Sequence, residues 1–235
     1  MSVVASKTDV DIDLAKATVR ELNEFLHHGV QENKVKHVRV LNPDGRHNLA
    51  VGIDYPVEVN IEGHAGYFIA GMNKQAIVNV HGNVGWSVAE NIMSGKVRVC
   101  GNASECAGAS GHGGTVIIEG DASSRCAISL KGSDIVVGGS VGHLSAFMAQ
   151  AGRLVVCGDA GAGLGDSLYE AVIYVRGELH GLGADAREEK MSSDDLNAVA
   201  MLLKEAGFSH NPKEFKRIAS AKSLYHWNAD AHQEY

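Results

Sequence analysis

Through the middle of the chain, apolar and other residues alternate in short runs, and the runs recur at a fixed distance. Seven of them end on glycines 63, 82, 101, 120, 139, 158 and 177, so every interval is 19 residues. Four positions before each glycine stand Val59, Val78, Val97, Val116, Ile135, Leu154 and Ile173; two before stand Ile61, Val80, Val99, Ile118, Val137, Val156 and Val175. A spacing of two is strand alternation, and branched aliphatics suit a pleated, half-buried surface. The position between them points the other way. It runs Asn60, Asn79, Arg98 and then Ile117, Val136, Val155, Tyr174, so the outer face begins polar and turns apolar, as it would if another element covered the later strands.

After each glycine comes a polar residue, from His64 and Asn83 to Asp159 and Glu178, and then a small or aliphatic one. Seven positions after it only Ala or Gly occurs: Ala70, Ala89, Gly108, Ala127, Ala146 and Gly165. A site that stays small through consecutive repeats reads as a tight inner corner. Strand, turn and corner repeated at this period describe an all-β core built as a parallel β-helix of seven 19-residue coils. At about 4.8 Å per strand the stack stands on the order of 29 Å high.

The flanks carry a helical pattern instead, dividing the chain into an N-terminal helical segment (1–45), the β-helix (46–183) and a C-terminal helical extension (184–235). Asp11 or Asp13 can cap a helix with Ala15, Val19, Leu22 and Leu26 on one stripe and Gly29 at its end. Ser192 to Asp195 is a capping-box start for a helix carrying Leu196, Val199, Leu203 and Ala206, closed by Gly207. Asn211-Pro212 opens a shorter helix with Phe215 and Ile218. Such helices are natural covers for the open ends of a solenoid, where strand edges are unpaired.

Charge sharpens this division: residues 57–177 hold only 7 of the 21 Lys/Arg and 10 of the 28 Asp/Glu. A net charge of -7 gives no basic footprint for nucleic acid. Four cysteines without a CxxC pair fit a reducing compartment, no apolar run is long enough for a membrane span, and the N-terminal sequence lacks signal-peptide features. A cytoplasmic location is expected.

Each candidate for chemistry meets a structural alternative. Gly161, Gly163 and Gly165 follow a strand as a dinucleotide loop does, but their spacing is GxGxG, and another coil strand follows where the fingerprint needs a helix. A coil corner or a partner contact is the better reading. Histidines 64, 81, 112, 143 and 180 fall at unrelated phases and give no metal-ligand column. Cys100 and Cys157 lie three coils apart, too far for a disulfide; Cys106 and Cys126 are one coil apart, so a pair is conceivable, though small buried side chains fit better. Glu119 and Asp121 flank a repeat glycine as turn residues, and no nucleophile motif is present. The residues read as a scaffold, with no catalytic, cofactor or metal site of its own.

The motifs at residues 50–54 (AVGID), 63–73, 81–85 (HGNVG), 89–95, 111–114 (GHGG), 139–143 and 161–165 together resemble the C-terminal GXGXG domain of the glutamate synthase large subunit, over roughly residues 46–183. The resemblance implies a right-handed β-helix without catalytic residues. As a separate chain it is most similar to the β-helical subunit of the methylamine–glutamate N-methyltransferase family, which joins methylamine to glutamate and releases ammonia. That implies a glutamine amidotransferase-like partner and an FMN-binding synthase partner carrying the FMN and iron–sulfur, with Ile117, Val136, Val155 and Tyr174 as candidate partner-facing residues. A split glutamate synthase-like enzyme and the β-helical subunit of formylmethanofuran dehydrogenase are the related alternatives. A hexapeptide acyltransferase is disfavoured, because 19 is not a multiple of six.

Overall fold

The computed structural model describes residues 8–222. Among the described residues eleven strands form one sheet, in which the seven solenoid strands lie side by side in chain order between two strands from the N-terminal flank and two from the C-terminal flank. The solenoid strands are β3 (Glu58–Ile61), β4 (Ile77–Val80), β5 (Lys96–Val99), β6 (Thr115–Ile118), β7 (Lys131–Val137), β8 (Ala151–Val156) and β9 (Val172–Val175). They pair in parallel with Val59 on Val78, Val78 on Val97, and so on to Leu154 on Ile173. The architecture is a β-solenoid of about seven turns, with the 19-residue period as its register. Both aliphatic columns are buried, and they form one continuous core with the small residues of the inner corner.

A second line of single parallel bridges joins Ala65, Val84, Ala103, Ala122, Val141, Ala160 and Leu179, one per coil. The small corner residues have a geometric reason: Ala70, Ala89, Ala127 and Ala146 take φ of 54° to 61°, and Gly108 and Gly165 take 67°. Larger side chains are excluded because this left-handed backbone faces the core, where a Cβ on Gly108 would come within 2.3 Å of Ile135 Cδ1.

Glycines 82, 101, 120, 139, 158 and 177 serve differently, since none lies in the left-handed region. A Cβ there would stand 2.4 to 3.0 Å from a backbone carbon or oxygen of the preceding coil's glycine. Stacking coils at strand spacing leaves no room for one.

The N-terminal flank departs from the sequence reading. Asp11 and Asp13 cap no helix; they lie in β1 (Asp9–Asp13), which pairs in parallel with β2 (His37–Leu41), and β2 pairs with β3, while Asp13 Oδ1 accepts from Ala15 N in the turn that follows. Two further strands thus extend the sheet before the regular coils. Helix α1 (Val19–Glu24) starts at Thr18, whose capping box with Glu21 satisfies first-turn donors. Gly29 does not stop it. The chain continues through a π turn (Phe25–Gly29) into α2 (Val30–Glu32), and Gly29 is needed because a Cβ would sit 2.4 Å from the Phe25 ring. Asn23 and His27 bond the backbone carbonyls of Asn48 and Val51, seating Leu22, Leu26 and Val30 in the core at this end.

At the other end, α3 (Ser193–Ala206) has the expected Ser192–Asp195 capping box and the left-handed Gly207 at its close. It does not cap the solenoid. Its buried side, Val199, Leu202, Leu203 and Ala206, lies along the outer face of the sheet. The helix expected after Pro212 is only one 3₁₀ turn (Pro212–Glu214); the chain then becomes β11 (Lys216–Ser220), antiparallel to β9. Ile218 opposite Ile173 continues the aliphatic column, which explains its apolar character without a helix. The edge beyond is β10 (Ala186–Glu189), short and charged, a composition that discourages further strand pairing.

Candidate functional site

The outer apolar column finds its cover within the chain. Ile117, Val136 and Val155 are fully buried and Tyr174 is 3 % exposed, packed with the α3 stripe and Phe215. The residues singled out as partner-facing therefore face α3, and any partner must use another surface. The helix is pinned at both ends. Near its start the Tyr174 hydroxyl donates to Asp195 Oδ1 at 2.6 Å, and Arg217 bridges Asp195 and Glu189. Burial alone would raise the Asp195 carboxyl, but hydrogen bonds from Ser192 and Tyr174 and the Arg217 charge bring it down to about 2. At its end Arg98 donates to the Ala206 carbonyl, and Lys96 pairs with Glu205 at 2.8 Å.

Gly161, Gly163 and Gly165 form a coil corner. A Cβ on Gly161 would meet the backbone of Gly142 and His143 at 2.7 and 2.9 Å, while Gly163 and Gly165 have φ of 74° and 67°. Beside them the Leu164 side chain is buried and its backbone bridges Leu182. The loop is thus occupied by contacts to neighbouring coils, which accounts for its glycines without a phosphate.

The polar residue after each coil glycine has a role the sequence did not reveal. His64 Nδ1 accepts from Asn83 N, Asn83 Oδ1 from Asn102 N, Asn102 Oδ1 from Asp121 N, Asp121 Oδ1 from Ser140 N, Ser140 Oγ from Asp159 N, and Asp159 Oδ1 from Glu178 N, at 2.8 to 2.9 Å. Each side chain holds the turn of the coil that follows. Asp121 is committed to this ladder and Glu119 to an ion pair with Arg98 at 2.6 Å, so both carboxylates of the glycosidase-like pair have structural partners.

The cysteines are free thiols. Burial pushes Cys126 up to about 12 and Cys157 up to about 11, which holds both protonated and unreactive at neutral pH. Cys100 lies 3.8 Å from His81 Nδ1, yet burial and then the Glu119 charge raise its thiol, the opposite of an activated nucleophile. Among the described residues no group of three or more His, Cys, Asp or Glu could hold a metal ion, and no helix is long and apolar enough to cross a membrane.

Two surface features escaped the sequence reading. One is an open cleft of about 660 Å³ near β2, lined by Val35, Tyr55, Val57 and Ile77 together with Lys34 and His37. Its residues come from separate coils and the α2 terminus, so no local motif marks it. The other is a stack of exposed rings, with Tyr67 lying 4.2 Å from His47 and 5.2 Å from Trp86 between ring centroids, nearly parallel in both pairs. Tyr67 and Trp86 both stand four positions after a coil glycine, so reading that column would have found them.

No protein-family model matches the chain. It is 52% identical over 220 residues, 93% of this chain and 96% of the other, to Protein GlxC of Rhizobium meliloti (strain 1021).

Proposed function

The chain belongs to the glutamate synthase-like family of Protein GlxC, and from that premise we propose that it is a non-catalytic structural subunit of a glutamate synthase-type enzyme complex. Within that class the proposed reaction is methylamine plus L-glutamate to N-methyl-L-glutamate plus ammonia. The chain organises an amidotransferase-like subunit and an FMN-binding subunit, and FMN and iron–sulfur belong to those partners. The observation that carries the reading is the match to Protein GlxC over nearly the whole of both chains. The geometry supports it. The polar column bonds successive coils, the glycine loop packs on its neighbours, and the thiols with the largest shifts are held protonated, as suits a scaffold whose chemistry lies elsewhere.

The test is reconstitution. Co-expressed with the two partner chains, the protein should co-purify in fixed stoichiometry with bound FMN, and the complex should form N-methylglutamate from methylamine and glutamate. Omitting this chain should abolish assembly. Turnover by this chain alone, or full activity of the partners without it, would refute the proposal.

A further inference from the structure

Three departures from the coil pattern meet at the open cleft beside β2. The first is length. The carbonyls of Ile53, Asn73 and Ile92 accept from the next coil at one position, through Lys74, Met93 and His112 N, and those of Val57, Ala76 and Gly95 at another, through Ile77, Lys96 and Thr115 N. Three residues, Asp54-Tyr55-Pro56, separate Ile53 from Val57, where two separate Asn73 from Ala76 and Ile92 from Gly95. The lengthened corner supplies Tyr55 and Pro56 to the cleft wall. In repeat proteins such insertions often fall on the binding face.

The second is an apolar residue in a polar column. Ile77 shares its position with Glu58, Lys96, Thr115, Asp134, Arg153 and Val172. Val172 packs against the α3 cluster, whereas Ile77 is 42 % exposed and lines the cleft with the buried Val35 and Val57. The third is charge. Lys34 and Lys36 line the cleft, and neither forms an ion pair with a described residue. The carboxylate among the lining residues, Glu58, is committed: Oε1 accepts from the Asn60 and Asn79 amides at 3.1 and 3.4 Å, and Oε2 faces His37 Nδ1 at 3.5 Å. Two cations thus stand uncompensated in a chain of net charge -7. A helix end accounts for a lysine near it, since cations complement its carbonyls, but not for an apolar wall and a lengthened corner beside it.

An apolar lining with a few polar groups is the character of a small-molecule site, and the cleft's 660 Å³ falls within the usual range of about 300–1,000 Å³. The two ammonium groups select an anion, and Ile77, Tyr55 and Val57 select an organic one, since a hydrated inorganic ion would leave their apolar surface in water. A phosphate monoester is disfavoured, because the helix ending at the cleft presents its C-terminus, whose carbonyls repel a doubly charged group. We infer that this cleft binds a small organic carboxylate, its anionic end held by Lys34 and Lys36 and its apolar body laid against Ile77, Tyr55 and Val57. The inference is independent of the subunit reading, since every contributing residue lies in this chain.

The test is titration of the full chain with phenylacetate, read by calorimetry and by amide NMR shifts. Saturable binding with a Kd of about 1 mM or tighter is expected, with shifts centred on Tyr55 and Ile77. Replacing both lysines, Lys34→Gln with Lys36→Gln, should weaken it about tenfold, and Ile77→Thr about fivefold. Thr already occupies this column at position 115, so the fold is retained, which circular dichroism checks. Phenethylamine, the same ring with a cationic end, should not bind. The inference is overturned if phenylacetate shows no saturable binding up to about 10 mM, if the double lysine variant binds within threefold of the parent, or if phenethylamine binds as well as phenylacetate. It is overturned equally if inorganic phosphate binds as tightly, because charge alone would then explain the site.

Discussion

Replacing Gly158 by Ala separates two explanations for the glycine column. Gly158 does not occupy the left-handed region, so conformational freedom alone predicts that Ala would stabilise by about 0.4–1 kcal/mol through the unfolded chain. Packing predicts the opposite. The new Cβ would stand 2.5 Å from Ser140 Oγ and 2.6 and 2.7 Å from the Gly139 carbonyl carbon and oxygen. Relief requires the two coils to part at this corner, which stretches the 2.8 Å bond from Gly158 N to Gly139 O and the 2.9 Å bond from Asp159 N to Ser140 Oγ. Overpacking costs about 1–3 kcal/mol and two weakened hydrogen bonds about 1 kcal/mol each; set against about 0.4–1 kcal/mol gained through the unfolded chain, the expected net loss is about 2–5 kcal/mol. Equilibrium urea unfolding followed by far-UV circular dichroism measures it. Gly45→Ala is the matched control: Gly45 has φ of 70° and nothing within 4 Å of an added methyl, so only backbone strain of about 1–2 kcal/mol is expected. A Gly158→Ala protein as stable as the parent, or more stable, would refute the close-approach account.

Asp195→Asn should destabilise the docked α3 at pH 7. Because the folded-state pKa lies below the ordinary 3.8, at about 2, the charged group's contribution is present above about pH 4 and lost as pH falls through 2. The difference in unfolding midpoint between parent and variant should therefore shrink across that window, and a difference independent of pH would contradict the assignment. Alkylation of the native protein with iodoacetamide at pH 7.5, read by peptide mass spectrometry, should leave Cys126 and Cys157 unmodified until the chain is unfolded, since both thiols are buried and protonated. Rapid native labelling at either position would show that the core opens there.

The solenoid was legible because its information is local and repeated. A strand two residues deep in aliphatics, a glycine and a small corner, recurring every 19 residues, fix period, register and core together, and the structure pairs Val59 with Val78 as that period requires. The capping box of α3 was equally legible, since Ser192, Asp195 and Gly207 act within one helix. The ends were not. The runs from Asp9 and from Lys216 are strands because β2 and β9 offer open edges to pair with, and edge pairing overrides a weak helical pattern.

The sequence alone thus determined the repeat, the fold class and the family resemblance. It also showed that Ile117, Val136, Val155 and Tyr174 need a cover. Only the tertiary structure decided that α3 of the same chain is that cover, leaving the Tyr67 and Trp86 face outward. The physical reason is that hydrophobic burial is not directional: a pattern specifies that an apolar column must leave water, while the choice of covering surface depends on where the chain's return path places its helix.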